Sequence, residues 1–289
     1  MANLFPPFEP EGEEPRRHRF RPIPLRVLLP NVITLLALCL GLTAIRMAIE
    51  GRLDLAVAAI VVAAILDGLD GRIARLLHTT SRFGAELDSL ADFVSFGVAP
   101  ALVLYMWNLS TLKSVGWIAV LVFAICAGLR LARFNVMLDD PNRPPFAANF
   151  FVGVPAPAGA VIVMLPVYLE FLGLPRTIAN APLATVYVIG IALLMVSKLP
   201  SWSGKRVGSR VPREHVLLVF VLVVLATALL ISFPWEVLSG GTLLYLGCLP
   251  LAYLHYRKLE REYVVASGGL AAHAPPAEPA VEQRPDRLN

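Results

Sequence analysis

The chain has 289 residues, of which 57% are hydrophobic and only 16% charged, and its mean hydropathy is +0.68. Soluble domains usually carry about 25% charged residues, so this composition excludes an ordinary soluble protein. The formal net charge of +4 gains meaning only from the positions of the basic residues. The three cysteines lie singly in separate apolar runs, so no pair has the spacing of a metal or redox site.

Eight apolar segments follow one another, and most approach the roughly 20 residues that a helix needs to cross a membrane. They cover residues 28–48, 53–71, 87–107, 114–135, 151–172, 182–198, 214–233 and 240–256. The fifth contains Pro155, Pro157 and Pro166, so we expect it to be kinked or to start late. The sequence therefore predicts an all-α membrane protein, a bundle of about eight transmembrane helices with a polar active-site cavity facing the cytoplasm.

The basic residues predict the orientation of this bundle. If the N-terminus is cytoplasmic, most of the 25 Lys and Arg residues lie on the cytoplasmic side, as the positive-inside rule requires. The opposite side then holds Arg46, Arg52, Lys113 and Arg176. Both termini are predicted to be cytoplasmic. Residues 1–27 form a basic segment at the membrane surface, residues 28–260 the membrane domain, and residues 261–289 a disordered tail.

Four aspartates lie where the second apolar segment meets the third. Asp67 and Asp70 are about 60° apart on one helical face, and Asp88 and Asp92 are about 40° apart on another. The short basic link between the segments allows two antiparallel helices to bring the pairs together. One such Asp would more often be a helix cap or a salt-bridge partner. Four carboxylates within membrane helices are costly, however, and indicate a functional site.

Four carboxylates in a low-dielectric site repel one another and take up protons unless cations balance them. Ligands that are all oxygen suit a hard ion, Mg²⁺ or Mn²⁺. Two divalent ions per active site would match the four negative charges. Paired metals of this kind recur in enzymes that catalyse in-line displacement at phosphorus.

Small residues surround the acidic pairs. Gly71, Ala74 and Gly84 remove side-chain bulk where a nucleotide or a second helix must approach the backbone. Arg75 lies one turn beyond Gly71 and can pair with phosphate oxygens. These residues predict a phosphate-containing substrate beside the metals.

The run from Asp67 to Asp92 resembles the signature of the CDP-alcohol phosphotransferase family, D-x2-D-G-x2-A-R-x8-G-x3-D-x3-D, at every specified position. Further stretches look like the bacterial and archaeal phosphatidylserine synthases of that family. These are Pro30-Asn31 and residues 129–135, 153–157 and 196–200, followed by Lys205. The resemblance implies transfer of a phosphatidyl group from CDP-diacylglycerol to L-serine with release of CMP. It also implies a homodimer in a bacterial-type inner membrane, surrounded by membrane lipids and without a nucleic-acid partner.

The resemblance also implies residue roles. Asp67 and Asp88 would touch both metals, whereas Asp70 and Asp92 would touch one each, and Asp92 would also be the general base. The residues expected to bind CDP-diacylglycerol are Pro30, Asn31, Gly71, Ala74, Arg75, Ser81 and Gly84. From its position alone, Asn31 is more simply interpreted as a helix cap.

The acceptor alcohol is the least specified part of the prediction. Arg130 and Arg133 share a helical face near the cytoplasmic end of the fourth segment, and an Arg fork suits the carboxylate of serine. The same arginines could instead snorkel to the membrane surface. Lys198 and Lys205 are competing candidates for acceptor or phosphate contact. Choline, glycerol 3-phosphate and an inositol phosphate remain alternative acceptors.

A divalent-cation transporter is a more distant alternative. A transporter would place its carboxylates near the bilayer midplane and often has repeated halves. Here the acids lie at the cytoplasmic ends of their segments, and the sequence shows no internal repeat.

Overall fold

The structure, a computed structural model, describes residues 25–77, 79, 81–138, 150–197, 199–202 and 213–272. The helices are α1 (Leu25–Ile49), α2 (Leu53–Leu76), α3 (Arg82–Asp92), α4 (Ala99–Trp107), α5 (Ser114–Leu138), α6 (Ala156–Val163), α7 (Leu165–Phe171), α8 (Ala181–Val196), α9 (Arg213–Ser232) and α10 (Pro234–Ala272). A π-helical segment, Phe93–Val98, joins α3 to α4, and 3-10 turns cover Leu109–Leu112 and Ile178–Asn180. Two strands, β1 (Phe150–Val152) and β2 (Pro200–Trp202), pair antiparallel.

The prediction of a helical membrane bundle is confirmed. Within the described ranges, the stretches long and apolar enough to cross a membrane are Leu28–Ile49, Arg82–Trp107, Ser114–Met137, Ile178–Val196 and Pro234–Lys258. Helix α2 has 24 residues, and two shorter apolar stretches are also present. Large apolar side chains such as Leu42, Ile125 and Phe220 point away from the core. Such apolar surface requires lipid rather than water, so the chain is an integral membrane protein.

The kink predicted for the fifth apolar segment is confirmed at the break between α6 and α7. Pro166 has no N–H to donate to the carbonyl oxygen of Ile162, one turn earlier. The hydroxyl of Tyr187 donates to that oxygen at 2.7 Å, and the hydroxyl of Tyr168 donates to the carbonyl oxygen of Val161 at 2.7 Å. Side-chain hydroxyls thus satisfy backbone oxygens at the break, which makes irregular backbone tolerable at membrane depth.

The strand pair was not predicted. Strand β1 precedes α6 and β2 follows α8, so the pairing ties together two connections at one end of the bundle. Three-residue strands are too short to leave a periodic signal in the sequence.

Helices extend across both predicted boundaries of the membrane domain. Helix α10 continues to Ala272, so the tail predicted over 261–289 begins within a helix rather than after one. Helix α1 begins at Leu25, inside the predicted surface segment 1–27. Residues 1–24 and 273–289 lie outside the described part of the chain.

Helix α1 packs closely against the π-helical segment that follows α3. A Cβ on Gly41 would lie 2.6 Å from the hydroxyl oxygen of Ser95, so only glycine permits this approach. The Ser95 hydroxyl donates to the carbonyl oxygen of Ala37 at 3.2 Å. The π-helical segment starts directly after Asp92, and such segments are frequent at functional sites. The contact fixes α1 beside the two helices that carry the aspartates.

Candidate active site

Helices α2 and α3 bring the four aspartates together. Carboxylate oxygens of Asp67, Asp70 and Asp88 all lie within 4.8 Å of one another. The carboxyl group of Asp92 lies one turn after Asp88 and is within hydrogen-bonding reach of Asp67. Asp70 is buried, and the other three are partly buried. Oxygens this close repel when ionised, so the cluster has the composition and spacing of a site for hard cations.

Thr34 on α1 supports this cluster and was missed by the sequence analysis. Its hydroxyl donates to Oδ2 of Asp70 at 2.8 Å and lies 3.1 Å from the carbonyl oxygen of Pro30. No sequence pattern marked Thr34, because a single threonine in an apolar helix more often bonds to its own backbone. Helix α1 therefore contributes a side chain that orients an acidic group.

Arg130 on α5 is the buried cation of the site. Only 7% of its surface is exposed, and its guanidinium lies within electrostatic reach of Asp67 and Asp92. It also lies over the Phe134 ring, 5.4 Å from the centroid. The nearby carboxylates balance this charge, which lowers the free-energy cost of burying it. Arg130 is thus placed where it can hold a negatively charged group next to the acidic cluster.

Arg133 has a different environment. Its two terminal nitrogens donate to the carbonyl oxygens of Val196 at 2.7 Å and Ser197 at 3.0 Å. These carbonyl oxygens lie at the C-terminal end of α8, where no N–H of a following helical turn is present to bond them. The contact favours a structural role over binding of the acceptor. The other two acceptor candidates, Lys198 and Lys205, lie outside the described residues.

A cavity of about 280 Å³ opens beside the cluster, between α1, α2 and α3. All seven residues predicted to bind CDP-diacylglycerol line it. The lining comprises Pro30, Asn31, Thr34, Asp70, Gly71, Ala74, Arg75, Thr79, Ser81, Gly84, Ala85 and Asp88. Asp70 and Asp88 thus border both the cavity and the acidic cluster. A nucleotide in this space would place its phosphates beside the carboxylates.

Local structure explains three of these residues. Ser81 caps α3, because its hydroxyl accepts a 3.0 Å hydrogen bond from the Gly84 N–H. A Cβ on Gly84 would lie 3.0 Å from Oδ1 of Asn31 and 3.1 Å from the Ser81 hydroxyl oxygen. Asn31 lies in the second turn of α1, so it does not cap that helix, contrary to the simpler interpretation of its position. These close approaches set the width of the cavity.

Two further side chains in the cavity bear on binding. Nε of Arg75 donates to the carbonyl oxygen of Gly71 at 2.9 Å, which leaves its terminal nitrogens for other partners at an exposed position. The hydroxyl of Thr79 is buried and has no hydrogen-bond partner among the described residues. Thr79 follows the helix in a short connection, where no sequence pattern identified it. Both side chains present donors to the cavity.

Comparison with known proteins gives a consistent result. The sequence profile described as CDP-alcohol phosphatidyltransferase matches residues 27–196, and one described as CDP-alcohol phosphatidyltransferase 2 matches residues 214–250. A protein of Mycobacterium leprae is 44% identical over 234 residues, which is 80% of this chain and 76% of the relative. A protein of Helicobacter pylori is 37% identical over 227 residues, covering 78% and 90%.

A protein of Bacillus subtilis is 36% identical over 172 residues, covering 59% of this chain and 88% of the relative. All three relatives are named CDP-diacylglycerol–serine O-phosphatidyltransferase. The Bacillus match takes in most of the relative, so its lower coverage of this chain reflects the shorter length of that relative.

Proposed function

Because the chain belongs to the CDP-alcohol phosphatidyltransferase family, we propose that it transfers the phosphatidyl group of CDP-diacylglycerol to the hydroxyl of L-serine, giving phosphatidylserine and CMP. The names of the relatives support serine as acceptor. The observation that carries the proposal is the position of the acidic cluster. Its carboxylates border the cavity in which a nucleotide diphosphate would lie.

The residues fit a divalent metal centre. Asp67, Asp70, Asp88 and Asp92 offer only oxygen ligands, and two Mg²⁺ or Mn²⁺ ions per active site would balance their four charges. When bound, such ions neutralise phosphate charge and stabilise the leaving phosphate. Thr34 holds one oxygen of Asp70, which leaves the other directed to the cluster.

The cavity residues bind and orient the nucleotide. Asn31 and Ser81 supply polar groups, and Gly71 and Ala74 leave room for close approach to the backbone of α2. Arg75 pairs with phosphate oxygens through its terminal nitrogens. Since CDP-diacylglycerol has two acyl chains, its lipid remains in the bilayer while the headgroup enters this cavity.

The reaction is a single displacement at phosphorus. The serine hydroxyl oxygen forms a bond to the phosphorus that carries diacylglycerol, the bond from that phosphorus to the oxygen of CMP breaks, and CMP leaves. Asp92 accepts the hydroxyl proton. Arg130, buried beside Asp92, binds the carboxylate of serine and so places its hydroxyl next to the base.

The proposal includes location and assembly. We place the protein in a bacterial-type inner membrane with both termini cytoplasmic. Arg72, Arg75 and Arg82 at the adjoining ends of α2 and α3 then lie on the cytoplasmic side, beside the cavity. A homodimer is part of the same proposal and rests on the family resemblance alone.

An acceptor panel tests the function. Purified protein receives CDP-diacylglycerol, Mg²⁺ or Mn²⁺, and in turn serine, choline, glycerol 3-phosphate or an inositol phosphate, and the lipid product is identified by mass spectrometry. Phosphatidylserine should form with serine, and chelation of the divalent ion should abolish it. Formation of a different lipid product would show that another alcohol is the acceptor. Divalent-ion flux without any lipid product would favour a transporter instead.

A further inference from the structure

A second cavity lies on another side of α2 from the nucleotide cavity. It has a volume of about 330 Å³ and lies between α2, α6 and α10. It shares no lining residue with the nucleotide cavity. Its walls are apolar except for two hydroxyl-bearing side chains, Thr242 and Tyr245 of α10. This cavity is called the α10 groove below, and none of the roles described so far uses it.

The α10 groove begins beside the acidic cluster and leads away from it into the membrane. Ala64 of α2 lines the groove and precedes Asp67 by one helical turn, about 4.5 Å. Tyr245 lines the same end and is within electrostatic reach of Arg130. From Tyr245 back to Val237, the groove follows α10 for about 12 Å. An acyl chain of a lipid whose phosphate lies at the acidic cluster could therefore continue directly into the groove.

Thr242 supplies the second observation. It is 3% exposed and lines the groove, yet its hydroxyl has no hydrogen-bond partner among the described residues. A buried polar group without a partner is costly, so a ligand group that satisfies it is favoured. A hydroxyl can donate to an acceptor-only group in apolar surroundings, and an ester carbonyl is such a group.

We propose that the α10 groove binds the acyl-glycerol part of the phosphatidyl donor, with the Thr242 hydroxyl donating to an ester carbonyl. This inference rests on the proposed function and adds a lipid subsite to it. The apolar walls suit an acyl chain and would disfavour the zwitterionic acceptor, because a charged group there would be desolvated without a counter-ion. The acceptor site thus remains at Arg130.

The position of α10 in the sequence adds to this assignment. The first family profile ends at residue 196, before α9 and α10 begin. The wall formed by Val237, Leu238, Gly241, Thr242 and Tyr245 therefore lies outside the first profile and inside the second, which matches residues 214–250. The additional helix pair would complete a lipid-binding groove against α2 and α6.

The first experiment tests the ester contact. Thr242→Val removes the hydroxyl at nearly constant volume, and Thr242→Ser retains it. Each protein is assayed with CDP-diacylglycerol and with its dialkyl ether analogue, which lacks the ester carbonyls. The wild type should prefer the ester in kcat/KM by about three- to tenfold, the serine variant should keep this preference, and the valine variant should lose it. An equal ester preference in wild type and Thr242→Val overturns the contact.

The second experiment tests whether an acyl chain of the donor occupies the groove. Cβ atoms at Gly240 and Gly241 would meet no atom within 4 Å, but only Gly241 lines the groove. Gly241→Leu should lower kcat/KM about tenfold for dioleoyl CDP-diacylglycerol and much less for the dihexanoyl form. Gly240→Leu is the matched control and should leave both unchanged. Equal behaviour of the two leucine variants overturns the proposed acyl groove.

Failure of the proposed function and failure of the groove assignment give different results. If the wild type makes no phosphatidylserine from either donor, the proposed function is wrong. If the wild type makes it and the Thr242 and Gly241 variants show no donor-dependent change, only the groove assignment is wrong. Thermal unfolding of each variant in detergent identifies any folding defect, and the ester-to-ether ratio is independent of the fraction of active protein.

Discussion

Thr34 and Asp70 are joined by a 2.8 Å hydrogen bond between α1 and α2, in which the threonine hydroxyl donates to Oδ2 of the aspartate. Asp70 is buried, and its neighbours Asp67 and Asp88 are also acidic. The hydrogen bond holds Asp70 in one orientation within a group of side chains that repel one another. Helix α1 therefore orients one member of the acidic cluster.

Thr34→Val should weaken metal binding while preserving the fold. Loss of such an orienting partner typically costs about 10- to 100-fold in metal affinity. We expect the Mn²⁺ concentration for half-maximal activity to rise about tenfold, and Mn²⁺ to raise the unfolding temperature less than in the wild type. Thr34→Ser keeps the donor and should behave as the wild type. An unchanged Mn²⁺ requirement in the valine variant would show that Asp70 needs no such support.

Asp92→Asn should separate binding from chemistry. The change removes the proposed proton acceptor along with one carboxylate, so turnover should fall by about 10²- to 10⁴-fold. Stabilisation of the protein by CDP-diacylglycerol should remain measurable by thermal unfolding, because Asp92 does not line the nucleotide cavity. Turnover near the wild-type rate would place the base elsewhere.

Arg130→Lys and Arg133→Lys should have different effects. Arg130 is buried beside Asp92, and lysine lacks the planar guanidinium that can bind a carboxylate through two hydrogen bonds. Arg130→Lys should therefore raise KM for serine about tenfold and leave KM for CDP-diacylglycerol unchanged. Arg133 donates to two carbonyl oxygens at the end of α8, so its variant should lose about 1 kcal/mol of stability and keep the serine KM. If Arg130→Lys keeps the wild-type KM for serine, Arg130 does not hold the acceptor.

Gly84→Ala should narrow the nucleotide cavity. The new Cβ would lie 3.0 Å from Oδ1 of Asn31 and 3.1 Å from the Ser81 hydroxyl oxygen, so both side chains must move. We expect KM for CDP-diacylglycerol to rise several-fold, which corresponds to a loss of about 1 kcal/mol in binding free energy. Gly68→Ala is the control, since its Cβ meets no atom within 4 Å and Gly68 lies outside the cavity. Equal kinetics in the two variants would argue against close packing of Gly84 as a determinant of binding.

The sequence predicted the helical membrane bundle because the apolar runs have the length that a bilayer requires. It also predicted which aspartates meet, because Asp67, Asp70, Asp88 and Asp92 follow helical spacing on two segments joined by a short link. The broken fifth segment could be predicted from its prolines. In each case the signal is local, since it depends on residues within one or two helical turns.

Contacts between distant helices could not be predicted in this way. Thr34 orients Asp70 across 36 positions in the chain, and Arg133 reaches the carbonyl of Val196 across 63. A threonine in an apolar helix and an arginine at a helix end have many possible roles, and only packing selects one. For the same reason, Arg130 and Arg133 were equal candidates before their surroundings were known, whereas the structure places them in different environments.

The proposed reaction requires the serine hydroxyl oxygen to attack the phosphorus that carries diacylglycerol. The most direct measurement uses serine labelled with ¹⁸O in its hydroxyl group, CDP-diacylglycerol and a divalent ion, followed by mass spectrometry of both products. We expect phosphatidylserine to retain the label and CMP to contain none. Label in a cytidylyl product, or phosphatidylserine without label, would contradict it.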